Sequence, residues 1–103
     1  MKAIIGGKRY NTETAIEVAS RDNGLSYTDF RQLSESLYRT PRGSWFLAGS
    51  GGPLTPYAVS VGDMRTGGSA IRPLTAEEAR SWLESYDKHD ALEEYFSDHI
   101  EDA

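Results

Sequence analysis

The sequence predicts an α+β fold: an antiparallel β-sheet of three to five strands covered by one or two C-terminal amphipathic helices. Turn residues cut residues 1–74 into short β-rich runs, whereas residues 75–103 open on a helix-capping pattern and repeat apolar residues at helical spacing. With 103 residues, the chain has room for one modest core, so we read residues 1–103 as a single domain: a mainly β body over 1–74 and an acidic helical segment over 75–103. Apolar residues make up 38% and charged residues 26%, which is a globular balance and not that of a disordered chain.

Lys2–Ile5 and Lys8–Tyr10 flank Gly6-Gly7, a two-residue turn that tolerates positive φ, and predict an N-terminal hairpin. Residues 12–20 support two readings. Thr12 or Thr14 is a candidate helix cap, yet Ile16 and Val18 alternate with polar and small residues as a strand does, and the two β-branched side chains favour strand. Asp22-Asn23-Gly24 is a turn. Residues 28–36 are also open: Phe30, Leu33 and Leu37 have helical spacing, and Thr28-Asp29 is a possible helix start.

Leu37–Thr40, then Pro41-Arg42-Gly43, then Ser44–Ala48 reads as strand, tight turn, strand. Trp45 and Leu47 would face one side and Phe46 and Ala48 the other, so this second strand is expected to be central and covered twice. Gly49–Pro53 is expected to break it, Tyr57–Val61 to form a short strand or helical turn, Gly62–Ser69 an exposed loop, and Ala70–Leu74 a brief edge strand ended by Pro73.

Thr75-Ala76-Glu77-Glu78 is a capping box, followed by Ala79, Trp82, Leu83 and Tyr86 on one helical face. A second helix is expected from about Asp90, with Leu92, Tyr95 and Phe96 inward, and a single kinked helix is the alternative at Asp87–His89. The expected core is Ile4, Ile16, Val18, Leu37, Trp45, Leu47, Ala79, Trp82, Leu83, Leu92, Tyr95 and Phe96.

Charge is distributed unevenly. Residues 77–103 carry ten carboxylates against Arg80 and Lys88, whereas residues 1–76 carry nine cations and six anions, so the net −5 hides a mildly basic body and a strongly acidic end. Duplex-binding proteins show the opposite balance, which disfavours direct nucleic-acid binding by the whole chain. No apolar run is long enough to span a bilayer, the N-terminal apolar stretch is too short for a signal peptide, and no membrane partner is expected. The absence of cysteine excludes disulfides, thiolate catalysis and thiolate zinc sites, and fits a reducing cytoplasm.

Catalytic patterns are sparse. His89 and Glu93 stand four apart, as do Tyr95 and His99, but no HExxH spacing gathers three metal ligands. No GxSxG elbow is present, and Gly49–Gly52 lacks the Lys-Ser/Thr of a phosphate loop. Glu77-Glu78 and Glu93-Glu94 diverge by about 100° on a helix, so neither pair converges on one atom. The sequence thus predicts no enzyme activity, no catalytic residue, no metal and no cofactor.

Two surfaces remain. Carboxylates three and four apart on a helix lie roughly 5–6 Å from one another, close to the spacing of phosphates along a DNA strand. Glu77, Glu84, Asp87, Asp90, Glu94, Asp98 and Glu101 are therefore candidate partner-binding residues, toward a protein that grips nucleic acid with Lys and Arg. From charge alone, a solvated face that keeps a small protein soluble explains them better. Lys8, Arg31, Arg39 and Arg42, with Arg9 and the aromatic Tyr38 and Trp45, are the alternative, a nucleic-acid-binding surface.

Gly7-Lys8-Arg9-Tyr10, Thr12-Glu13-Thr14-Ala15, Leu37-Tyr38-Arg39-Thr40, Trp45-Phe46-Leu47, Gly51-Gly52-Pro53 and Pro73-Leu74-Thr75 together resemble a group of small uncharacterised proteins of bacteria and their mobile elements. The resemblance spans most of the chain and implies no catalytic residue. By class and genomic setting, and not by motif, it implies a counter-defence inhibitor of the anti-CRISPR kind in the bacterial cytoplasm, binding a complex that handles nucleic acid such as a CRISPR effector. That implication places the acidic face ahead of the alternative, a small nucleic-acid-binding accessory protein of a mobile element.

Overall fold

A computed structural model describes residues Met1–Ala103. The elements in chain order are β1 Lys2–Ile5, β2 Lys8–Asn11, β3 Ile16–Asp22, β4 Leu33–Arg39, β5 Trp45–Gly51, β6 Val59–Val61, β7 Met64–Thr66, β8 Gly68–Leu74, α1 Ala76–Ser85 and α2 His89–Phe96, with a 3-10 turn at Ser97–His99. β3, β4, β5 and β8 form one antiparallel sheet in that order, and β1–β2 and β6–β7 are separate hairpins. The fold is therefore α+β with two C-terminal helices, as the sequence predicts.

Alternation along the two central strands decides which residues meet which layer. Leu37 pairs with Leu47 and Arg39 with Trp45, while Tyr38 pairs with Phe46. One face carries Leu37, Trp45 and Leu47 and packs against Ala79, Trp82 and Leu83 of α1 and Ala91, Leu92 and Phe96 of α2. The Trp45 indole stacks on Phe96 at 5.2 Å and meets Tyr95 edge-on at 5.5 Å. The opposite face is covered by the N-terminal hairpin: Phe46 and Ile71 pack with Tyr10, and Ala3, Ala15, Tyr38 and Ala48 close around them. β5 is thus the doubly covered central strand.

Residues 28–36 resolve as loop and strand. Leu33 and Leu37 stand four apart, a spacing that fits both a helical turn and two strand periods, and the charged Glu35 between them masks the alternation. Asn23 closes the preceding loop by accepting from the Leu33 amide and donating to the Arg31 carbonyl. The strand reading also holds for Ile16–Asp22, and the Gly6-Gly7 and Pro41–Gly43 turns form as expected.

Four expectations are corrected. Ile4 is 68% exposed because its neighbour Ala3 pairs with the inward Tyr10, leaving Ile4 on the outer face of the hairpin opposite Arg9. Ile16 is 64% exposed at the start of the free edge strand β3. β5 does not stop at Gly49 but continues through Gly51, because β4 and β8 pair with it on both sides to that point, and its glycines make room for the Tyr57 and Thr55 side chains. Residues 62–69 are not a loop: Val61 pairs with Met64 across a Gly62-Asp63 turn, and β8 already begins at Gly68.

The capping box is complete. The Thr75 hydroxyl accepts from the Glu78 amide at 3.1 Å, and the Glu78 carboxylate accepts from the Thr75 amide at 2.9 Å. Those bonds hold the exposed Glu78 carboxyl below its ordinary pKa range. The helices are separate because Asp87 takes a φ of +56°, which an α-helix cannot continue. No helix is long and apolar enough to cross a membrane.

Two substitutions test this packing. Gly49→Val drives a side chain into the Tyr57 ring and is expected to cost at least the roughly 1–3 kcal/mol of an overpacked site. Thr75→Ala removes one half of the capping box and is expected to cost about 0.5–2 kcal/mol. Chemical denaturation of each variant against the wild type measures both.

Candidate functional site

Helical periodicity dictates where the anions of the C-terminal segment go. In α1 the inward stripe is Ala79, Trp82 and Leu83, so Glu77 and Glu84, seven apart, sit together on the opposite, outer side. In α2 the inward residues are Ala91, Leu92 and Phe96, so Asp90 and Glu94 sit together on its outer side, with Glu93 beside them. Both helices pack on the same face of the sheet, and their outer sides therefore look away from it together. Asp87 lies in the turn between them and Asp98 in the 3-10 turn, while Glu101 follows both helices.

Glu77, Glu84, Asp87, Asp90, Glu94, Asp98 and Glu101 are all exposed. Asp87 has an ion-pair partner, the equally exposed His89 at 3.7 Å, and none of the seven is paired with an arginine or lysine of the β body. Three body cations, Arg21, Arg39 and Arg72, do share the helix-facing side of the sheet, and Arg72 borders one cleft with Glu77 and Glu78. Arg21 is committed to Glu35, and Arg39 sits over the rings of Trp45 and Tyr95 at 5.6 and 5.7 Å.

The four cations of the alternative surface do not come together. Lys8 and Arg42, joined by Arg9, line one groove between β2 and the β4–β5 turn. Arg31 lies in the loop that enters β4, at the opposite end of the strand from Arg42. Arg39 alternates onto the helix face with Trp45. Tyr38 and Trp45 are on opposite faces of the sheet, Trp45 is buried, and Tyr38 stacks on Phe46 at 5.1 Å, so they form no open aromatic platform.

A second polar centre is buried, and sequence reading passed over it. Glu35 lies on the helix-facing side of β4, in the row between Leu33 and Leu37, where a charge without partners would cost several kcal/mol. Its carboxylate instead accepts four hydrogen bonds: from Arg21 Nε and Nη2 at 3.1 and 3.0 Å, from Trp82 Nε1 at 3.3 Å, and from the Tyr57 hydroxyl at 2.5 Å. The Arg21 guanidinium is also covered by the Tyr86 ring, 4.0 Å from its centroid. Burial pushes the Glu35 carboxyl upward in pKa, but bonds from Tyr57, Trp82 and Arg21, with the charge of Arg21, outweigh it and hold the group below the ordinary carboxylate range. Tyr57 moves the other way: burial, reinforced by the adjacent carboxylate, raises its hydroxyl far above the usual tyrosine value.

This centre has the character of a structural clamp. Both oxygens of the Glu35 carboxylate are engaged within the protein, and no buried side-chain nitrogen or oxygen lacks a partner. The one sequence signal that could have revealed it is a lone Glu inside an otherwise alternating strand, with Trp82 and Tyr57 as donors whose proximity no local pattern encodes.

No family model matches the chain, and no curated protein or solved structure is significantly similar to it.

The clamp has a pH signature. A carboxyl with a depressed folded-state pKa contributes stability that is fully present above its unfolded pKa, about 4.3, and lost as the pH falls through the folded value. Glu35→Gln is expected to lower stability by about 1.5–3 kcal/mol at neutral pH. The gap to wild type then narrows as the pH falls below that unfolded-state value and through the lower folded-state one. Urea titrations across that range measure the gap, and a difference constant with pH would contradict the assignment.

Proposed function

We propose that this protein is a non-enzymatic binding protein whose two-helix face docks, through its carboxylates, on a cationic surface of a protein that itself holds nucleic acid. The observation that carries this reading is that Glu77, Glu84, Asp90 and Glu94 stand exposed on the outer sides of two helices sharing one sheet face, free of pairing with the cations of the β body. An unneutralised anionic strip of this kind attracts a Lys- and Arg-rich groove over a distance set by ionic strength and speeds encounter with it. Asp90 and Glu94, four apart on α2, lie at nearly the spacing of strand phosphates, and together with Glu77 and Glu84 they compete for the same groove as nucleic acid does. In the counter-defence setting that the sequence resemblance implies, the partner is a CRISPR effector complex in the bacterial cytoplasm, and occupation of its nucleic-acid channel is the inhibitory act. The resemblance and the exposed strip support this reading together.

The reading requires no bond to be made or broken. It does require that affinity fall with salt, and that nucleic acid and this protein exclude one another on the partner. Charge reversal at Glu84, Asp90 and Glu94 to lysine leaves the buried stripes of both helices untouched. It is expected to abolish capture of the partner from a bacterial lysate, with an unchanged far-ultraviolet circular dichroism spectrum. The wild-type complex is expected to dissociate as salt is raised and when duplex DNA is added. Retention of the same partner by the charge-reversed variant, or indifference of the complex to DNA, would overturn the proposal.

A further inference from the structure

On the side of the sheet away from the helices, the β1–β2 hairpin and the β4–β5 turn enclose a groove of about 650 Å³. Three cations, Lys8, Arg9 and Arg42, line it, and no carboxylate does. In a chain with sixteen acidic residues and a net charge of −5, such a concentration of unopposed positive charge stands apart from the average surface. None of the three has an ion-pair partner.

The walls are set by the fold. On one side the Thr40 hydroxyl accepts from the Ser44 amide at 3.0 Å, and the Thr40 amide donates to the Ser44 carbonyl at 2.8 Å, closing the turn that carries Arg42. On the other, the Asn11 side chain accepts from the Glu13 amide at 2.9 Å, and its carbonyl accepts from the Thr14 and Ala15 amides. Tyr10, between Arg9 and Asn11, is fixed edge-on against Phe46 with centroids 5.5 Å apart. These bonds fix the backbone of both walls, so that occupation orders only the cationic side chains.

From these observations we propose that the groove binds a phosphate-bearing ligand, with Arg9, Arg42 and Lys8 as the groups that hold its phosphates. Two guanidinium forks and an ammonium suit phosphate oxygens in number and geometry. The hydroxyls of Thr40 and Ser44 on the same walls are of the type that completes a phosphate's hydrogen bonding. The volume falls in the range of small-ligand sites and accommodates a ligand of nucleotide size. Tyr10, the aromatic residue of the lining, is only 7% exposed and already packed, so it offers no ring face on which a base can stack. Recognition therefore runs through phosphate and not through base identity. The phosphate belongs either to a free nucleotide or to a single strand, and the two sources differ in how affinity depends on chain length. The inference is independent of the acidic helical face, which lies on the other side of the sheet.

Fluorescence anisotropy of a labelled single-stranded oligonucleotide at low salt, with ATP and inorganic phosphate as competitors, tests the proposal. Binding is expected, and the combined variant Lys8→Gln, Arg9→Gln, Arg42→Gln is expected to lose at least tenfold in affinity. Arg31→Gln with Arg65→Gln, cations at the far end of the sheet, is expected to lose less than about twofold. Affinity that climbs with oligonucleotide length, with a log–log salt slope near −0.7 per phosphate held, identifies a strand. Full displacement by ATP at an affinity equal to that of the longest oligonucleotide identifies a nucleotide, and either result supports the site. Failure of every phosphate probe to bind, or equal losses in the two variants, overturns it. Arg42→Glu alone, a change at one exposed turn residue, repeats the test with less disturbance of the hairpin.

Discussion

The arrangement of this molecule depends on one buried carboxylate. Glu35 occupies a position where alternation along β4 demands an inward side chain, and the helices and the segment after β5 leave it only 7% exposed, at the floor of a cleft that Arg21 and Tyr86 also line. Its desolvation is offset only if Arg21 of β3, Tyr57 of that segment and Trp82 of α1 all reach it at once. The clamp therefore sets the position of an edge strand, a connecting segment and a helix relative to β4. Tyr57 reaches the carboxylate because residue 49, opposite Glu35 on the neighbouring strand, is glycine and leaves room for the ring. A buried ion pair of this type adds little net stability compared with an apolar replacement, but removal of a single member leaves the others unsatisfied. The carboxylate is therefore satisfied only when β3, the segment after β5 and α1 are all in place.

The layering has an electrostatic consequence. Each helix uses its apolar stripe against the sheet and turns its carboxylates outward, while the hairpin that covers the other face brings Lys8 and Arg9 beside Arg42. The sheet separates the Lys8, Arg9 and Arg42 group from the helical carboxylates, whereas Arg21, Arg39 and Arg72 lie on the helix side without an ion pair to any of those carboxylates. A chain that looks like a basic body followed by an acidic end becomes a molecule with an anionic side and a smaller cationic groove. These surfaces favour different partners, a cationic protein surface for the first and phosphate for the second.

Local signals were read well where a short-range interaction decides the outcome. The capping box, the glycine turn of the first hairpin and the doubly apolar β5 each depend on residues within a few positions of one another. The reading weakened where the deciding partner is remote. Phe46 reads locally as a strand residue but not as core, since the Tyr10 that covers it lies 36 residues earlier in the chain. Ile4 and Ile16 were placed inside on hydrophobicity alone, yet they fall on the outer side of a hairpin and at an uncovered edge. For the candidate sites, helical periodicity is enough to group Glu77 with Glu84 and Asp90 with Glu94, whereas Asp87, Asp98 and Glu101 fall outside both helices. The basic ones needed to be known as belonging to opposite faces and opposite ends of β4.

By itself the chain's covalent order determined the fold class, the asymmetry of charge and the outward direction of the helical carboxylates, because each follows from periodicities of two or 3.6 residues that act locally. Only the tertiary structure decided that Glu35 would be a clamp, that Arg39 would sit over aromatic rings and not beside Arg42, and that Lys8, Arg9 and Arg42 would share a groove. Those outcomes rest on contacts between segments far apart in sequence. Strand pairing and layer packing bring such segments together, and no local pattern of residues specifies them.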